Sequence, residues 1–143
     1  MFIKQISIFI ENKPGRLSAV TKLLGNNGID IRALSVADTR DFGILRLIVN
    51  KPDDACEILK KAECTVSINN VIAIAIKDEP GGLADIMEAL YAANISVEYM
   101  YAFLSKSDDQ AYVILRVDNN DKAIEAMKEN NFKVLTSKEV YDM

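Results

Sequence analysis

Two segments of the chain are versions of one another. Residues 11–31 read ENKPGRLSAVTKLLGNNGIDI and residues 77–97 read KDEPGGLADIMEALYAANISV. At an offset of 66, Pro14, Gly15, Leu17, Leu24 and Ile29 meet Pro80, Gly81, Leu83, Leu90 and Ile95. At an offset of 68, Asp41, Leu47, Val49, Asp53, Ala55, Glu57 and Lys60 meet Asp109, Leu115, Val117, Asp121, Ala123, Glu125 and Lys128. The change of two places a longer loop in the second copy, inside 102–110. The 143 residues are therefore one unit of about 70 residues built twice. A unit of that size buries little core alone, so the two copies are expected to lean on each other.

Each copy has the same periodicities. Ile6, Ile8 and Ile10 alternate with Gln5, Ser7 and Phe9, which is strand spacing. Leu17, Val20, Leu23 and Leu24 fall on one helical face, and Asn27-Gly28 ends that helix. Ile29, Ile31 and Ala33 alternate as a second strand, and Ile44 to Val49 form a third. Pro52-Asp53-Asp54 starts a helix through Lys61, and a fourth strand begins at Cys64. The second copy predicts strand 71–76, helix 81–93, strands 95–103 and 110–117, helix 121–130 and strand 132–136. The fold class is α+β: two tandem ferredoxin-like βαββαβ copies, antiparallel sheets with helices on one face. The expected domains are 1–69 and 70–143. No Gly-, Pro- or Ser-rich linker separates them, so strand four of the first copy is expected to run straight into strand one of the second across Asn69-Asn70.

In VIAIAI, Ile72, Ile74 and Ile76 match the core-facing isoleucines of the first strand. The opposite face then carries Val71, Ala73 and Ala75, small and apolar where water would favour polar side chains. That face is expected to pack on another sheet, most simply one in a second chain, which makes a homodimer the expected assembly. Tyr99 and Tyr101 are read as core residues on the same strand face as Ile95 and Val97.

Several function classes are disfavoured. Net charge is −4, which argues against nucleic acid as a partner. The longest apolar run, Val71 to Ile76, is too short to span a bilayer, and MFIKQISIFI lacks the h-region of a signal peptide. The chain is read as cytoplasmic, with no membrane partner. Cys56 and Cys64 lack a CxxC spacing and are read as reduced, packed residues. There is no histidine, which removes the commonest general base and the usual metal ligand. Neither GxxxxGK[ST] nor GxGxxG occurs. Asp108-Asp109 is read as a solvated turn. No enzyme activity, metal or cofactor is expected. An RNA-recognition fold shares the βαββαβ order, but its third strand needs paired stacking aromatics, and here Phe42 and Tyr112 each stand alone.

The Pro-Gly corner is what the repeat keeps. Proline suits a helix start because its missing N–H is not needed there. Glycine lets a ligand approach the backbone. The first helical turn offers unpaired N–H donors and partial positive charge, so the corner could seat the α-carboxylate of a small ligand. A plain helix start without a ligand would use the same residues.

ENKPGRL…GIDI and KDEPGGL…NISV resemble ACT domains, the small ligand-binding modules that regulate amino-acid metabolism. The resemblance covers nearly the whole chain as a tandem pair without a catalytic domain. It implies a regulatory sensor that binds a free amino acid between two ACT units and signals through conformation or oligomer state, with a metabolic enzyme as a candidate partner. A ligand-free adaptor dimer is the alternative. The resemblance places the effector against Asn12, Lys13, Pro14, Gly15, Arg16 and Leu17, or Asp78, Glu79, Pro80, Gly81, Gly82 and Leu83. The neighbouring unit would contribute Asp30 and Ile31, or Ser96 and Val97. If the copies of one chain pair side by side, one site joins the Asn12 loop to Ser96. The other joins Asp78-Glu79 to Asp30 and is acidic, which suits a basic amino acid such as histidine. The serine-responsive phosphoglycerate dehydrogenase domain has histidine where Ile10 stands and asparagine where Asp30 stands, so serine is not the effector this pattern favours.

Overall fold

The repeat folds as its periodicities dictate, and the structure, a computed structural model, describes residues 2–38, 41–104 and 109–143. The first copy comprises β1 (Ile3–Glu11), α1 (Arg16–Asn26), β2 (Ile31–Asp38), β3 (Phe42–Val49) and α2 (Pro52–Lys61). The long strand β4 (Thr65–Lys77) then carries the chain into α3 (Gly82–Ala92), β5 (Val97–Ala102), β6 (Gln110–Val117), α4 (Asn120–Glu129), β7 (Lys133–Val134) and α5 (Ser137–Tyr141). The two-residue insertion expected inside 102–110 overlaps 105–108, and Asp108 with it lies outside the described residues. Asp109 is a turn residue whose carbonyl accepts the Asp78 N–H at 3.0 Å.

β4 is shared. Its first half pairs with β1, from Phe9↔Thr65 to Ile3↔Val71, and its second half pairs with β6, from Ile72↔Leu115 to Lys77↔Gln110. The strand order is β2-β3-β1-β4-β6-β5, with β7 also on β4. The two ends of that order meet again: Ala33 bridges Phe103, and the Leu104 N–H donates to the Arg32 carbonyl at 2.9 Å. The antiparallel sheet thus curls until its edges touch, with the helices outside.

Three apolar clusters follow. Ile6, Ile8 and Ile10 meet Val20, Leu24, Ala55 and Leu59 under α1 and α2; Ile72 and Ile74 meet Ile86, Leu90 and Met127 under α3 and α4. Each fully buried aliphatic side chain of this kind contributes about 1.5–3 kcal/mol. The third cluster fills the inside of the curl, with Ile3, Ala33, Ile48, Val71, Ala73, Ile114, Leu135 and Val140. This corrects the expectation for the small face of β4. Val71 and Ala73 do pack on a sheet, but it is the first copy's own sheet, reinforced by the C-terminal segment; Ala75 is buried as well, and no second chain is required to cover the three.

Two further expectations change for one reason. The β2–β3 register shifts between Ile31 and Ala33, and the β5–β6 register shifts between Val97 and Tyr99. A bulge of one residue sends everything after it to the other face. Ile31 therefore points to the helices while Ala33 points inside the curl. Tyr99 and Tyr101 likewise leave the face of Val97 and turn inward, the bulge residues being Arg32 and Glu98 at equivalent places in the repeat. Leu17 is also not part of the packed face of α1; it is 43% exposed, as its counterpart Leu83 is at 39%. The expected strand 132–136 shrinks to two residues, because Thr136 leaves it to cap α5: its hydroxyl accepts the Glu139 N–H, and Glu139 accepts the Thr136 N–H at 2.8 Å.

Candidate functional site

At both corners the glycine starts the helix in the left-handed region, Gly15 at φ 87° and Gly81 at φ 88°, each with ψ −10°. A Cβ on either would meet nothing within 4 Å, so the backbone conformation rather than crowding demands glycine. No side chain caps either helix start. The Arg16 and Gly82 N–H groups turn back to the Lys13 and Glu79 carbonyls at 3.3 and 3.0 Å, which leaves the next N–H groups of each first turn, with the positive end of the helix dipole behind them, for a ligand. The loops are anchored alike: Asn12 N–H donates to the Asp41 carbonyl at 3.0 Å, as Asp78 N–H does to Asp109.

The corners differ in charge and in space. At the first, Glu11 accepts Lys13 at 2.9 Å and lies 3.8 Å from Arg16. The Lys13 hydrogen bond, then the charges of Lys13 and Arg16, hold the Glu11 carboxyl below its usual range. Two cations against one carboxylate leave the corner positive. A cavity of about 60 Å³ opens there, lined by Glu11, Asn12, Lys13, Arg16 and Leu17 with Ile10, Val36, Gly43 and Leu45 behind. At the second corner Lys77, Asp78 and Glu79 stand at the places of Glu11, Asn12 and Lys13. Gly82 replaces Arg16, and a Cβ on it would stand 2.2 Å from the Lys77 carbonyl oxygen. The start of α3 thus lies directly on the end of β4.

The strand-start residues are held within their own copies. Asp30 N–H donates to Asn50 Oδ1 at 2.9 Å, and Ser96 N–H donates to Asp118 Oδ1 at 3.3 Å. The Asp30 carboxylate pairs with Arg32. Ile31 and Val97 pack into the two helix-side cores. The structure therefore brings Asn12, Lys13, Arg16 and Leu17 around one cavity, with Pro14 and Gly15 forming the turn. That cavity is lined by the first copy alone. Among the described residues no group of three His, Cys, Asp or Glu side chains is gathered as a metal site would need.

One polar centre escaped the sequence reading. Gln5 is wholly buried on the inner face of β1, donating to the Tyr99 hydroxyl at 2.7 Å and accepting from the Tyr101 hydroxyl at 2.6 Å. The Arg46 guanidinium lies over the Tyr99 ring at 3.9 Å. A glutamine alternating with isoleucines was the visible signal, but its partners come from the other copy.

The family described as the ACT domain pair matches residues 1–143. The solved structure of protein BT0572 from Bacteroides thetaiotaomicron is similar at a TM-score of 0.94 and 40% identity, over 100% of this chain and 98% of that one. The regulatory subunit of aspartate kinase from Thermus thermophilus shares the fold at a TM-score of 0.67 and 18% identity, over 88% of this chain and 91% of that one. Its counterpart from Thermus flavus does so at 0.61 and 16%, over 88% and 90%. Among curated proteins none matches the chain.

Proposed function

This chain belongs to the ACT domain pair family, and on that premise we propose that it is a non-catalytic regulatory sensor that binds a free amino acid at the corner of the first copy. The carrying observation is the uncapped, left-handed Gly15 helix start opening onto a cavity of net positive charge. An α-carboxylate on those N–H groups gains charge-assisted hydrogen bonds and the helix dipole. Asn12 and the Pro14–Leu17 backbone position it, and Arg16 and Lys13 supply the field. The cavity seats the head of an amino acid only, so a neighbouring ACT unit would wall off the rest. The rim supports that assembly: Leu17, Leu34 and Val36 beside the corner are 43%, 36% and 44% exposed. A homodimer built on this rim would carry the signal, to a metabolic enzyme or through its own oligomer state.

The second corner is the weaker seat. It has Gly82 in place of the Arg16 cation, and Asp30, the partner that would attract a basic side chain such as that of histidine, is already matched by Arg32. No helix among the described residues is long and apolar enough to cross a membrane, which fits a cytoplasmic role in amino-acid sensing. The proposed division into units 1–69 and 70–143 falls inside β4.

A thermal-shift screen against the twenty amino acids tests the reading. A ligand at a hundred times its dissociation constant adds about 2.7 kcal/mol. One amino acid, or a few related ones, should raise the melting point. Arg16→Ala should then weaken that ligand about tenfold or more, the worth of one charge-assisted hydrogen bond. If none of the twenty stabilises the protein, the sensor reading fails and a ligand-free adaptor dimer takes its place.

A further inference from the structure

Where the two inner sheet faces part, beyond the Gln5 hydrogen bonds, they leave a cleft of about 410 Å³. It shares no lining residue with the corner cavity. Its floor is a cross-strand row. Ser67 on β4 pairs with Ser7 on β1, which pairs with Arg46 on β3, all three on the inner face. Asn69 flanks the row, and Glu98 and Tyr99 of the second copy form the opposite wall. Phe9 and Ile44, the next pair along β1 and β3 on the same face, give one end an apolar lining.

The donors outnumber the acceptors in this cleft. Asn69 accepts the Ser7 hydroxyl at 3.1 Å through its carbonyl oxygen, which leaves its amide N–H groups to donate. Glu98 is matched by Arg116 at 3.2 Å, and Arg116 also donates to the Asn70 carbonyl at 2.9 Å. Arg46 has no carboxylate among the described residues. Its guanidinium carbon sits 3.9 Å from the centre of the Tyr99 ring, a cation–π contact that holds the charge in the cleft while using none of its N–H groups on a carboxylate. Tyr99 is itself fixed by Gln5. An uncompensated guanidinium beside an amide and a hydroxyl, with an aromatic residue at the end, is complementary to an oxyanion on an apolar body.

We propose that this inter-sheet cleft is a second binding site, for a small organic oxyanion that sets its carboxylate or phosphate on Arg46 and its apolar body against Phe9 and Ile44. Because the walls come from both copies, an occupant ties them together. The site stands or falls independently of the corner, since the two cavities are separate.

The test is a titration of the isotope-labelled protein with benzoate, phenyl phosphate and inorganic phosphate, read residue by residue by NMR. Benzoate or phenyl phosphate should shift the amides of Ser67, Asn69 and Tyr99 and the Arg46 side-chain N–H along saturable curves. Arg46→Gln should weaken that binding at least tenfold, and Arg16→Gln at the corner should leave it unchanged. Should Arg46→Gln unfold the protein, Ser67→Glu places a carboxylate in the cleft from an exposed position and should abolish the same shifts. The proposal is overturned if the shifts fall at residues 12–17, fail to saturate with both organic probes, or survive Arg46→Gln and Ser67→Glu. Inorganic phosphate binding as tightly as phenyl phosphate would overturn the apolar half of the site.

Discussion

At the scale of single residues, Gln5 shows how one polar group can join two copies of a repeat. It is the one wholly buried polar side chain among the described residues, and both ends of its amide are used. Burial pushes the Tyr101 hydroxyl far above its ordinary range, so it stays protonated and keeps donating to Gln5. Gln5→Leu keeps the volume but strands two tyrosine hydroxyls, each buried group left unpaired costing about 1–3 kcal/mol. Urea denaturation should show a loss of at least that size; an unchanged midpoint would mean water replaces the amide. This role was not legible in the sequence, because the partners lie 94 and 96 positions away. The glycines were partly legible. The Pro-Gly spacing announced a turn at Gly15 and Gly81, but nothing in the sequence distinguished Gly82, whose missing Cβ lets α3 rest on the Lys77 carbonyl. Gly15→Ala should cost about 1–2 kcal/mol, the strain of a left-handed alanine. Gly82→Ala meets backbone at 2.2 Å and should cost clearly more. Equal denaturation midpoints for the two variants would contradict that ordering.

At the scale of elements, the helices and most strands were written in apolar spacing, whereas the bulges and the last helix were not. A period-2 pattern says that a strand exists; it says nothing of where a bulge reverses its faces. Arg32 and Glu98 sit in unremarkable polar positions, and only the paired strand reveals the shift. The C-terminal helix did have a signal. Thr136 followed by Glu139 is a capping-box pattern, although the helix that it starts is only five residues long. Its docking is electrostatically tuned. The Lys133 hydrogen bond first, with the Thr136 backbone, holds the Glu139 carboxyl below its ordinary value, while Glu139 raises Lys133. A lowered folded carboxyl contributes stability that is full above its unfolded value and is lost as pH falls through the folded one. The raised lysine contributes below its unfolded value, and that share is lost only as pH rises through the folded one. The segment should therefore hold through neutral pH and loosen below the ordinary carboxylate range. Val140 methyl resonances followed against pH should report this. Glu139→Gln should remove the acid limb; a limb that persists would assign it to other carboxylates.

At the scale of the whole molecule, the duplication was legible from five identities at one offset, and so was the continuity of strand across Asn69-Asn70. What covered the small face of β4 was not, since sequence shows that a face is apolar without showing which chain lies on it. The geometry answers with the curl: once β4 serves both sheets and β2 reaches β5, Val71 and Ala73 are covered by the first copy's own inner face together with Leu135 and Val140 of the C-terminal segment. This has a consequence for how the protein folds. The inner cluster takes Ile3, Ala33 and Ile48 from one copy and Val71, Ala73, Ile114, Leu135 and Val140 from the other. A separated residue 1–69 fragment would keep its helix-side core but expose that inner face, and would end β4 before Val71 can pair with Ile3. At that length a half-covered core does not offset chain entropy. The fragment should therefore remain unfolded by far-UV circular dichroism, while the whole chain melts in one step with coincident dichroism and tyrosine-fluorescence curves. Two separate transitions, or a folded fragment, would show that the repeats are autonomous. The inner cluster would then be a docking surface between them, and a ligand bridging the copies could move one against the other without unfolding either. A single transition leaves a different route, in which any ligand bound by one repeat stabilises both, and the signal travels as a change in the rigidity of the whole curl.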